Sequence, residues 1–239
     1  MPAARGRGCF TQIIDESIAF VREKRGALLL AFVTESNPSY RRLAASGAAL
    51  FPTRYLFSTA DTPLVSAGAT EDVEATPALI AELEARAQAL AQGNVHVHYE
   101  GDEWAQQLVR RADPTTIVSA PGLGHAVVEA HGEFDRLQAV LPTGEDERVD
   151  LVKAMLGRAQ ARGRKLFLFA SDAARGKAIA AHCGLGTAPG FVTANIANRH
   201  ALEVALGHPF DDTADATILA APASPAFLGR LALQTGDRM

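Results

Sequence analysis

A short apolar strand that ends in a proline turn occurs twice in the sequence. The first copy lies within Asp113–His125, and an edited second copy lies within Asp215–Pro225. Each copy has about four consecutive β-branched or apolar residues after an acidic residue, which is typical of a strand buried on both faces of a parallel sheet. The repetition favours a fold that uses the same strand and turn twice.

Helical and strand-like segments alternate along the chain. The apolar run Ala27–Val33 predicts a central strand, with helices before it at Thr11–Arg25 and after it near Ser39–Leu50. Thr76 and Pro77 have the residue types of a helix N-cap and first turn. This alternation predicts an α/β fold with an open parallel sheet and flanking helices.

The second half of the sequence repeats the outline of the first. The strand and turn at Leu56–Asp61 have a counterpart at Lys165–Asp172. We therefore predict two similar α/β units, residues 1–133 and 134–239, related by internal duplication. Chance similarity between two α/β segments is the alternative explanation, because all such segments share a common pattern.

Composition narrows the classes of partner. The net charge is -4, with 48% apolar and 21% charged residues, so no basic excess indicates nucleic acid. The longest apolar run, Ala27–Val33, is too short to cross a bilayer, and the N-terminus lacks the pattern of a signal peptide. Cys9 and Cys183 lie far apart and predict free thiols. We expect a cytoplasmic protein with no membrane insertion.

The carboxyl ends of the predicted strands are the candidate ligand site. Ligands of open α/β sheets bind beyond these ends. Gly122 and Gly124 would let backbone N–H groups approach an anion, and a helix beginning near His125 would add its N-terminal dipole. The alternative is a simple tight turn between a strand and a helix. The predicted ligand-binding residues are Thr34, Glu35, Ser36, Ser119, Gly122, Leu123, Gly124 and His125.

This order of elements, with a glycine loop after the fourth strand, resembles the universal stress protein family in its tandem form. The resemblance implies two HUP-type parallel-sheet units. It also implies that ATP or a related nucleotide binds between the first strand and the glycine loop, with Glu35 in the place of the family's acidic residue. Gly122, Gly124 and Gly132 would supply the glycine motif. The second unit is degenerate, since Ala223 stands where a glycine is expected.

Other clusters of chemically active residues are weaker candidates. His96 and His98 alternate onto one face of a predicted strand, but no further ligand stands at metal-site spacing. Ser119, His125, His131 and Asp135 belong to no nucleophile motif. We therefore predict neither a metal site nor a catalytic set.

Three functions remain open from the sequence. The predicted duplication and the absence of an assembled nucleophile, acid and base favour a non-catalytic sensor of a nucleotide or small phosphate ligand, of the universal stress type. The first alternative is a regulatory or structural module that has lost ligand binding and acts through a protein partner or as a homodimer. The second is an enzyme that acts on adenylated or phosphorylated small molecules.

Overall fold

The computed structural model describes residues 9–45, 48–66, 68–92, 102–207 and 209–210. Two compact units divide the chain, one made of residues 1–52 and 190–229 and the other of residues 53–189 and 230–239.

The helices and strands are numbered in chain order. The helices are α1 (Cys9–Glu23), α2 (Pro38–Ala45), α3 (Pro77–Ala91), α4 (Arg148–Ala161), α5 (Ala173–Cys183) and α6 (Arg199–Leu206), with a π-helix at Ala105–Val109. The strands are β1 (Leu28–Thr34), β2 (Ala49–Phe57), β3 (Glu71–Val73), β4 (Thr115–Ala120), β5 (Gly124–His131), β6 (Phe134–Pro142), β7 (Lys165–Ala170) and β8 (Gly186–Ile196).

The first unit contains an antiparallel pair, β1 with β8. The register places Leu28 opposite Ile196. Helices α1 and α2 contact β1, and the Nε of Arg22 in α1 donates a hydrogen bond to the Ala197 carbonyl at 2.8 Å. The first apolar strand of the sequence therefore pairs with a strand that lies far along the chain.

The second unit contains a mixed sheet in the order β2-β7-β6-β5-β4-β3. Among the strand pairs whose register the structure describes in this unit, β6 with β7 is parallel and the others are antiparallel. Strands β4, β5 and β6 follow one another through tight turns, whereas α4 connects β6 to β7. This arrangement follows from geometry, because antiparallel strands need only a short turn and parallel strands need a crossover.

Helices cover both faces of this sheet. Val118 packs in a core with residues of α4 and α5, while its neighbour Ile117 packs in a second core with residues of α3 and the π-helix. Successive residues of a strand point to opposite faces, so the two cores lie on opposite sides. We call these sides the α4 face and the α3 face.

Local sequence signals set several helix ends. The Thr76 hydroxyl caps α3 by accepting a hydrogen bond from the Leu79 N–H at 3.2 Å. The Asp172 carboxylate caps α5 by accepting from the Ala174 N–H at 2.8 Å, and Gly184 follows this helix with φ 64. The helix predicted to begin after Thr76 is confirmed.

The predicted architecture of two duplicated, open parallel-sheet units is wrong. The sheet of the second unit is mixed, and β4 leads through a hairpin into β5 rather than into a helix. An apolar strand covered by helices on both faces has the same composition in a mixed sheet as in a parallel one, so strand composition alone misled the prediction. The boundary between residues 133 and 134 stays a prediction, and it falls in the turn between β5 and β6.

Some predictions fall outside the described residues. These are the strands predicted at Asn94–Tyr99 and Thr217–Ala220, and the second copy of the repeated segment within Asp215–Pro225. Within the part of the chain that the structure describes, no helix combines the length and hydrophobicity needed to cross a membrane.

Candidate functional site

Strands β6 and β7 separate part-way along their length. Their parallel register covers only Phe134–Arg136 against Lys165–Phe167. Beyond this point β6 continues along β5 as far as Pro142, and β7 continues along β2 as far as Ala170. The two strands therefore form a wedge that opens towards their carboxyl ends. We call this opening the wedge.

A bulge in β6 lies where the wedge begins. Val127 pairs with Ala139 and Val128 pairs with Leu137, so Gln138 is an extra residue in β6. A bulge bends its strand and increases the local twist. The bulge thus gives a physical reason for β6 to turn away from β7.

Buried charges surround the bulge on the α3 face. The Glu129 carboxylate is 3% exposed, and it accepts hydrogen bonds from Arg111 Nε at 2.8 Å and from Gln138 Nε2. Arg136 Nη1 lies 3.8 Å from the same carboxylate. We call these four residues the Glu129 cluster. Within the cluster, Gln138 Oε1 is buried without a hydrogen-bond partner.

A second polar group lies at the open end of the wedge, also on the α3 face. His125 of β5 pairs with Ser119 of β4 and with Leu141 of β6. Burial lowers the pKa of His125, and the positive charge of Arg86 in α3 lowers it further, against a smaller opposing effect of Glu82. His125 Nδ1 and Arg86 Nη1 are both buried without a hydrogen-bond partner. We call His125, Arg86 and Glu82 the His125 site.

The loop between β6 and α4 is acidic. It contains Glu145, Asp146 and Glu147. Arg148 Nε and Nη2 donate hydrogen bonds to the Glu145 carboxylate at 2.8 Å and 2.9 Å, and Arg175 lies 3.2 Å from it. Burial raises the pKa of Glu145, but the hydrogen bond from Arg148 and the two positive charges outweigh it, so the net pKa is lowered.

Glu147 occupies the entrance to α4. Its Oε2 would lie 2.7 Å from a Cβ added to Gly144, so this carboxylate is folded over the glycine backbone. Glu147 is also the N-cap residue and makes no capping hydrogen bond through its side chain. A carboxylate of the protein itself therefore lies where the positive end of the helix dipole would attract an anion.

A groove of about 660 Å³ lies on the α4 face. It is lined by Leu64, Leu123, Lys153, His182 and other residues of α4, α5 and the loop after β2. Its lining is mainly apolar, which is typical of a site for a small organic molecule.

Cys183 lies beside the groove but is poorly suited to act as a nucleophile. Its side chain is buried, and burial raises the pKa of the thiol to about 11. The thiolate is the reactive form of cysteine, so Cys183 is almost entirely protonated at neutral pH.

The structure places the predicted ligand residues in two groups. Ser119, Gly122, Leu123, Gly124 and His125 lie in or beside the hairpin between β4 and β5, in the second unit. The helix expected near His125 is absent, because this residue belongs to β5.

The hairpin explains both of its glycines without a ligand. Gly122 and Gly124 have φ values of 78 and 126, which favour glycine. The Leu123 carbonyl accepts a hydrogen bond from the Thr143 N–H at 2.9 Å. The role of the hairpin in phosphate binding stays a prediction.

The other predicted residues belong to the first unit. Thr34 ends β1, and Glu35 and Ser36 follow it. The Thr34 and Ser36 hydroxyls lie 3.2 Å apart and form a hydrogen bond with each other. Their role as ligand-binding residues also stays a prediction.

Sequence reasoning missed the polar partners on the α3 face. Glu82 and Arg86 have the i, i+4 spacing of a helical ion pair, and their side chains lie 3.0 Å apart. His125, Val127 and Glu129 alternate along one strand, which would have placed the histidine and the carboxylate on one face. These two signals would have found both polar groups.

No group of three or more metal-binding side chains occurs among the described residues. His96 and His98 fall outside the described ranges. Asp135 is paired with Arg164 and His131 with Asp113, so these residues do not assemble with Ser119 into a catalytic set.

No protein-family model and no curated protein matches the sequence. Solved structures do match, among them a GCN5-related N-acetyltransferase from Sphaerobacter thermophilus, with 13% identity and a TM-score of 0.54 over 82% of this chain and 70% of that chain. The described chain has the fold of the GCN5-related N-acetyltransferases.

Further acetyltransferase structures give the same result. The one from Anabaena variabilis has 14% identity and a TM-score of 0.55, and the one from Kribbella flavida has 17% identity and a TM-score of 0.55. Each alignment covers 84% of this chain but only 54% and 51% of those chains. At these identities the likeness establishes the fold.

The resemblance to tandem universal stress proteins is therefore wrong, because these structural neighbours are acetyltransferases. The interpretation as a non-catalytic sensor depended on that resemblance and falls with it.

Proposed function

We propose that this protein is an N-acyltransferase, which moves an acyl group from a thioester to an amine. The wedge between β6 and β7 carries the proposal. The fold shared with proteins described as N-acetyltransferases supports it. Of the functions left open by the sequence, an enzyme acting on small molecules comes nearest to this one.

The wedge offers the backbone of two strands to an extended ligand. Beyond Arg136 and Phe167 the strands no longer pair with each other. An extended chain that contains amide groups can join a strand edge through main-chain hydrogen bonds. The amide-containing arm of a pantetheine thioester has this chemistry, so we assign the wedge to the arm of the acyl donor.

The groove beside α4 suits the end of the donor that is remote from its acyl group. It lies on the α4 face, and Leu123 in its wall is hydrogen-bonded to Thr143 at the end of β6. The polar groups of His125 and Glu129 lie on the α3 face. A donor on the α4 face and an acceptor on the α3 face would meet at the wedge.

Coenzyme A is only a partial fit to these residues. Its pantetheine arm fits the wedge, but its diphosphate would meet the acidic loop that contains Glu145 and Glu147. Arg148 in this region is already paired with Glu145. We therefore assign no role to a diphosphate at the N-terminus of α4. The prediction of a nucleotide ligand is retained only in the sense that acetyl-coenzyme A contains a nucleotide. We do not propose ATP as a ligand.

Transfer is proposed to be direct, without an acyl-enzyme. Cys183 is buried with a raised thiol pKa. The other cysteine, Cys9, is exposed in α1, and the Cys9→Ser variant tests whether its thiol takes part. The amine of the acceptor is therefore the nucleophile that attacks the thioester.

Thiol release tests this function. The protein would be incubated with acetyl-coenzyme A, S-acetylpantetheine or S-acetyl-N-acetylcysteamine, together with a panel of amines and amino acids. Free thiol and the acetylated product would both be measured. We expect stoichiometric formation of amide and thiol with at least one of the three donors.

Two controls make the result specific. The Cys9→Ser variant removes the exposed thiol, so a rate unchanged in this variant excludes simple thiol exchange. Heat-denatured protein measures uncatalysed aminolysis. Absence of amide above that background with all three donors contradicts the proposed function.

A further inference from the structure

We infer that the loop between β6 and α4 selects the acyl donor, and that Glu147 is its specificity-determining residue. The loop rejects thioesters that carry a diphosphate, such as those of coenzyme A. It accepts thioesters whose pantetheine arm ends without a charge. This inference rests on the proposed acyl transfer and names the class of its donor substrate.

The first observation is the position of the Glu147 carboxylate at the start of α4. Helix N-termini attract anions through their backbone N–H groups and the helix dipole. In this chain the Oε2 of Glu147 would lie 2.7 Å from a Cβ added to Gly144, so a carboxylate of the protein covers this stretch of backbone. A diphosphate could approach the backbone here only if the Glu147 side chain moved away.

The second observation is that the arginines of this region are already paired. Arg148 donates from Nε and Nη2 to the Glu145 carboxylate at 2.8 Å and 2.9 Å, and from Nη1 to the Val140 carbonyl at 3.4 Å. Arg175 Nη1 lies 3.2 Å from the same carboxylate. Arg148 could bind a phosphate only by giving up these hydrogen bonds, and the charge of Glu145 offsets that of Arg175.

The third observation is an excess of negative charge. Residues 145–150 contain one arginine, Arg148, and four carboxylates, on Glu145, Asp146, Glu147 and Asp150. The Glu145 side chain is 49% exposed, so this charge faces the solvent from which a donor arrives. The diphosphate and 3′-phosphate of coenzyme A would be repelled by it. Pantetheine carries no charge and would not be repelled.

The groove on the α4 face favours the same class of donor. Its lining is mainly apolar, with Leu64 and Leu123 in its walls, and its charged residues Lys153 and Asp150 have opposite signs. The end of pantetheine that is remote from sulfur is a branched hydroxyalkyl group without charge. Burial of its methyl groups against an apolar wall is favourable.

The loop connects the two regions assigned to the donor. Pro142 ends β6, which borders the wedge, and Asp150 of α4 lines the groove. Residues 143–147 join them, and the Thr143 N–H donates a hydrogen bond to the carbonyl of Leu123 in the groove wall at 2.9 Å. A donor that reaches from the groove into the wedge therefore passes this loop, which senses the charge of that part of the molecule.

Calorimetric titration with two unreactive analogues tests the selection on the wild-type protein. The S-acetonyl thioethers of pantetheine and of coenzyme A differ only in the charged part beyond the pantetheine arm. We expect Kd for the coenzyme A analogue to be at least about 10-fold higher, because several like charges would be brought together. The difference should shrink between about 0.05 M and 0.5 M salt, since salt screens exposed charges.

Two results with the wild type would overturn the inference. One is an equal or lower Kd for the coenzyme A analogue. The other is a difference in Kd that salt does not change, because such a difference would not arise from exposed charges. This comparison needs no variant and therefore does not depend on how a substitution affects folding.

Substitution of Glu147 tests its part in the selection. Glu147→Gln removes the charge and keeps the size of the side chain, whereas Glu147→Ala also uncovers the Gly144 backbone. The side chain makes no capping hydrogen bond, so neither variant loses a helix cap. We expect Kd for the coenzyme A analogue to fall about 3-fold in the first variant and about 10-fold in the second. Kd for the pantetheine analogue should change less than about twofold.

Glu74→Gln is the matched control. Glu74 is exposed and precedes the N-cap residue of α3 by two positions, so its substitution changes the net charge equally beside a different helix. The ratio of the two Kd values should stay within about twofold of the wild-type ratio. If this variant changes the ratio as much as Glu147→Gln does, net charge explains the effect and the role of Glu147 is overturned.

Donor binding and acyl transfer together separate this inference from the proposed function. Amide formation combined with equal affinity for the two analogues would overturn the selection and leave the proposed function standing. Selective binding of the pantetheine analogue without amide from any donor would overturn the proposed function and leave only a binding preference. Binding of neither analogue would overturn both.

Discussion

The Glu129 cluster and the His125 site lie on the same face of one sheet but differ in how far their polar groups are paired. The Glu129 carboxylate is 3% exposed and is bound by Arg111 and Gln138. His125 and Arg86 each keep a buried polar atom without a partner, whereas in the Glu129 cluster the unpartnered atom is Gln138 Oε1 and the charged groups are paired. The first lies where β6 and β7 still pair, and the second lies where they have separated.

The difference assigns different roles to the two groups. A buried carboxylate with several donors stabilises the fold around it, and its loss leaves charges unpaired. A buried donor or acceptor without a partner weakens the fold around it. We therefore expect loss of the Glu129 carboxylate to lower stability strongly, and replacement of the His125 imidazole to lower it little or not at all.

The largest effect on stability should come from Glu129→Ala. Removal of the carboxylate leaves Arg111 and Gln138 without their acceptor, and we expect a loss of about 3–5 kcal/mol, as for other broken buried pairs. Urea denaturation measures the change. The matched control is Glu133→Ala, which breaks an exposed ion pair with Lys165 and should cost less than about 1 kcal/mol. Similar losses of unfolding free energy in both variants would show that the cluster does not stabilise the fold more than an exposed ion pair does.

A second prediction concerns Gly124, beside His125. A Cβ at this position would lie 2.3 Å from the Leu141 carbonyl oxygen, and φ is 126. If the hairpin were a phosphate-binding loop, Gly124→Val would abolish ligand binding with little loss of folding cooperativity. The structure instead predicts a stability loss of about 2–4 kcal/mol, because overpacking adds to backbone strain.

Gly122 provides the matched control for Gly124. It also has a positive φ, but a Cβ there would meet no atom within 4 Å. Gly122→Ala should therefore cost only about 1 kcal/mol. If thermal unfolding finds the two variants equally stable, steric overlap at Gly124 is not important.

The third prediction is a substitution that should not lower stability. Replacing His125 by Leu removes an unpaired polar atom from a partly buried position, so we expect stability to be unchanged or to rise by up to about 1 kcal/mol. A loss of more than about 2 kcal/mol in urea denaturation would show that His125 supports the fold and would break the comparison with Glu129.

The smallest effect concerns pH. The pKa of His125 is lowered in the folded protein, so the unfolded chain binds more protons between that value and the unfolded value of about 6.5. Wild-type stability should therefore decrease as the pH falls through this window. His125→Leu should lack this contribution, and parallel curves for the two proteins would refute the lowered pKa.

The sequence predicted local elements better than their arrangement. Capping residues and apolar spacing located α3, and the apolar run after Lys165 located β7. The direction in which strands pair depends on contacts between distant segments, such as β1 with β8, and no local pattern encodes it. The glycines at 122 and 124 were interpreted as a nucleotide loop because a hairpin and a strand-to-helix turn both need positive φ.

The candidate site was predicted only in part. His125 was identified from its position after the glycines, although for a different role. Arg86 and Glu82 were missed, because an ion pair on a helix is usually a feature of the solvated surface. The wedge was beyond prediction from local patterns, since it results from the bulge at Gln138 and from the different partners of β6 and β7.

Hydrogen–deuterium exchange with a stable donor analogue tests the central claim most directly. The analogue would be the S-acetonyl thioether of pantetheine, which cannot transfer its acyl group. If the donor arm lies in the wedge, amides of residues 137–141 and 168–170 should exchange more slowly when the analogue is bound. The assignment of the wedge to the acyl donor would be contradicted if the analogue binds but protects only other segments. It would also be contradicted if the analogue does not bind at the highest concentration that can be tested.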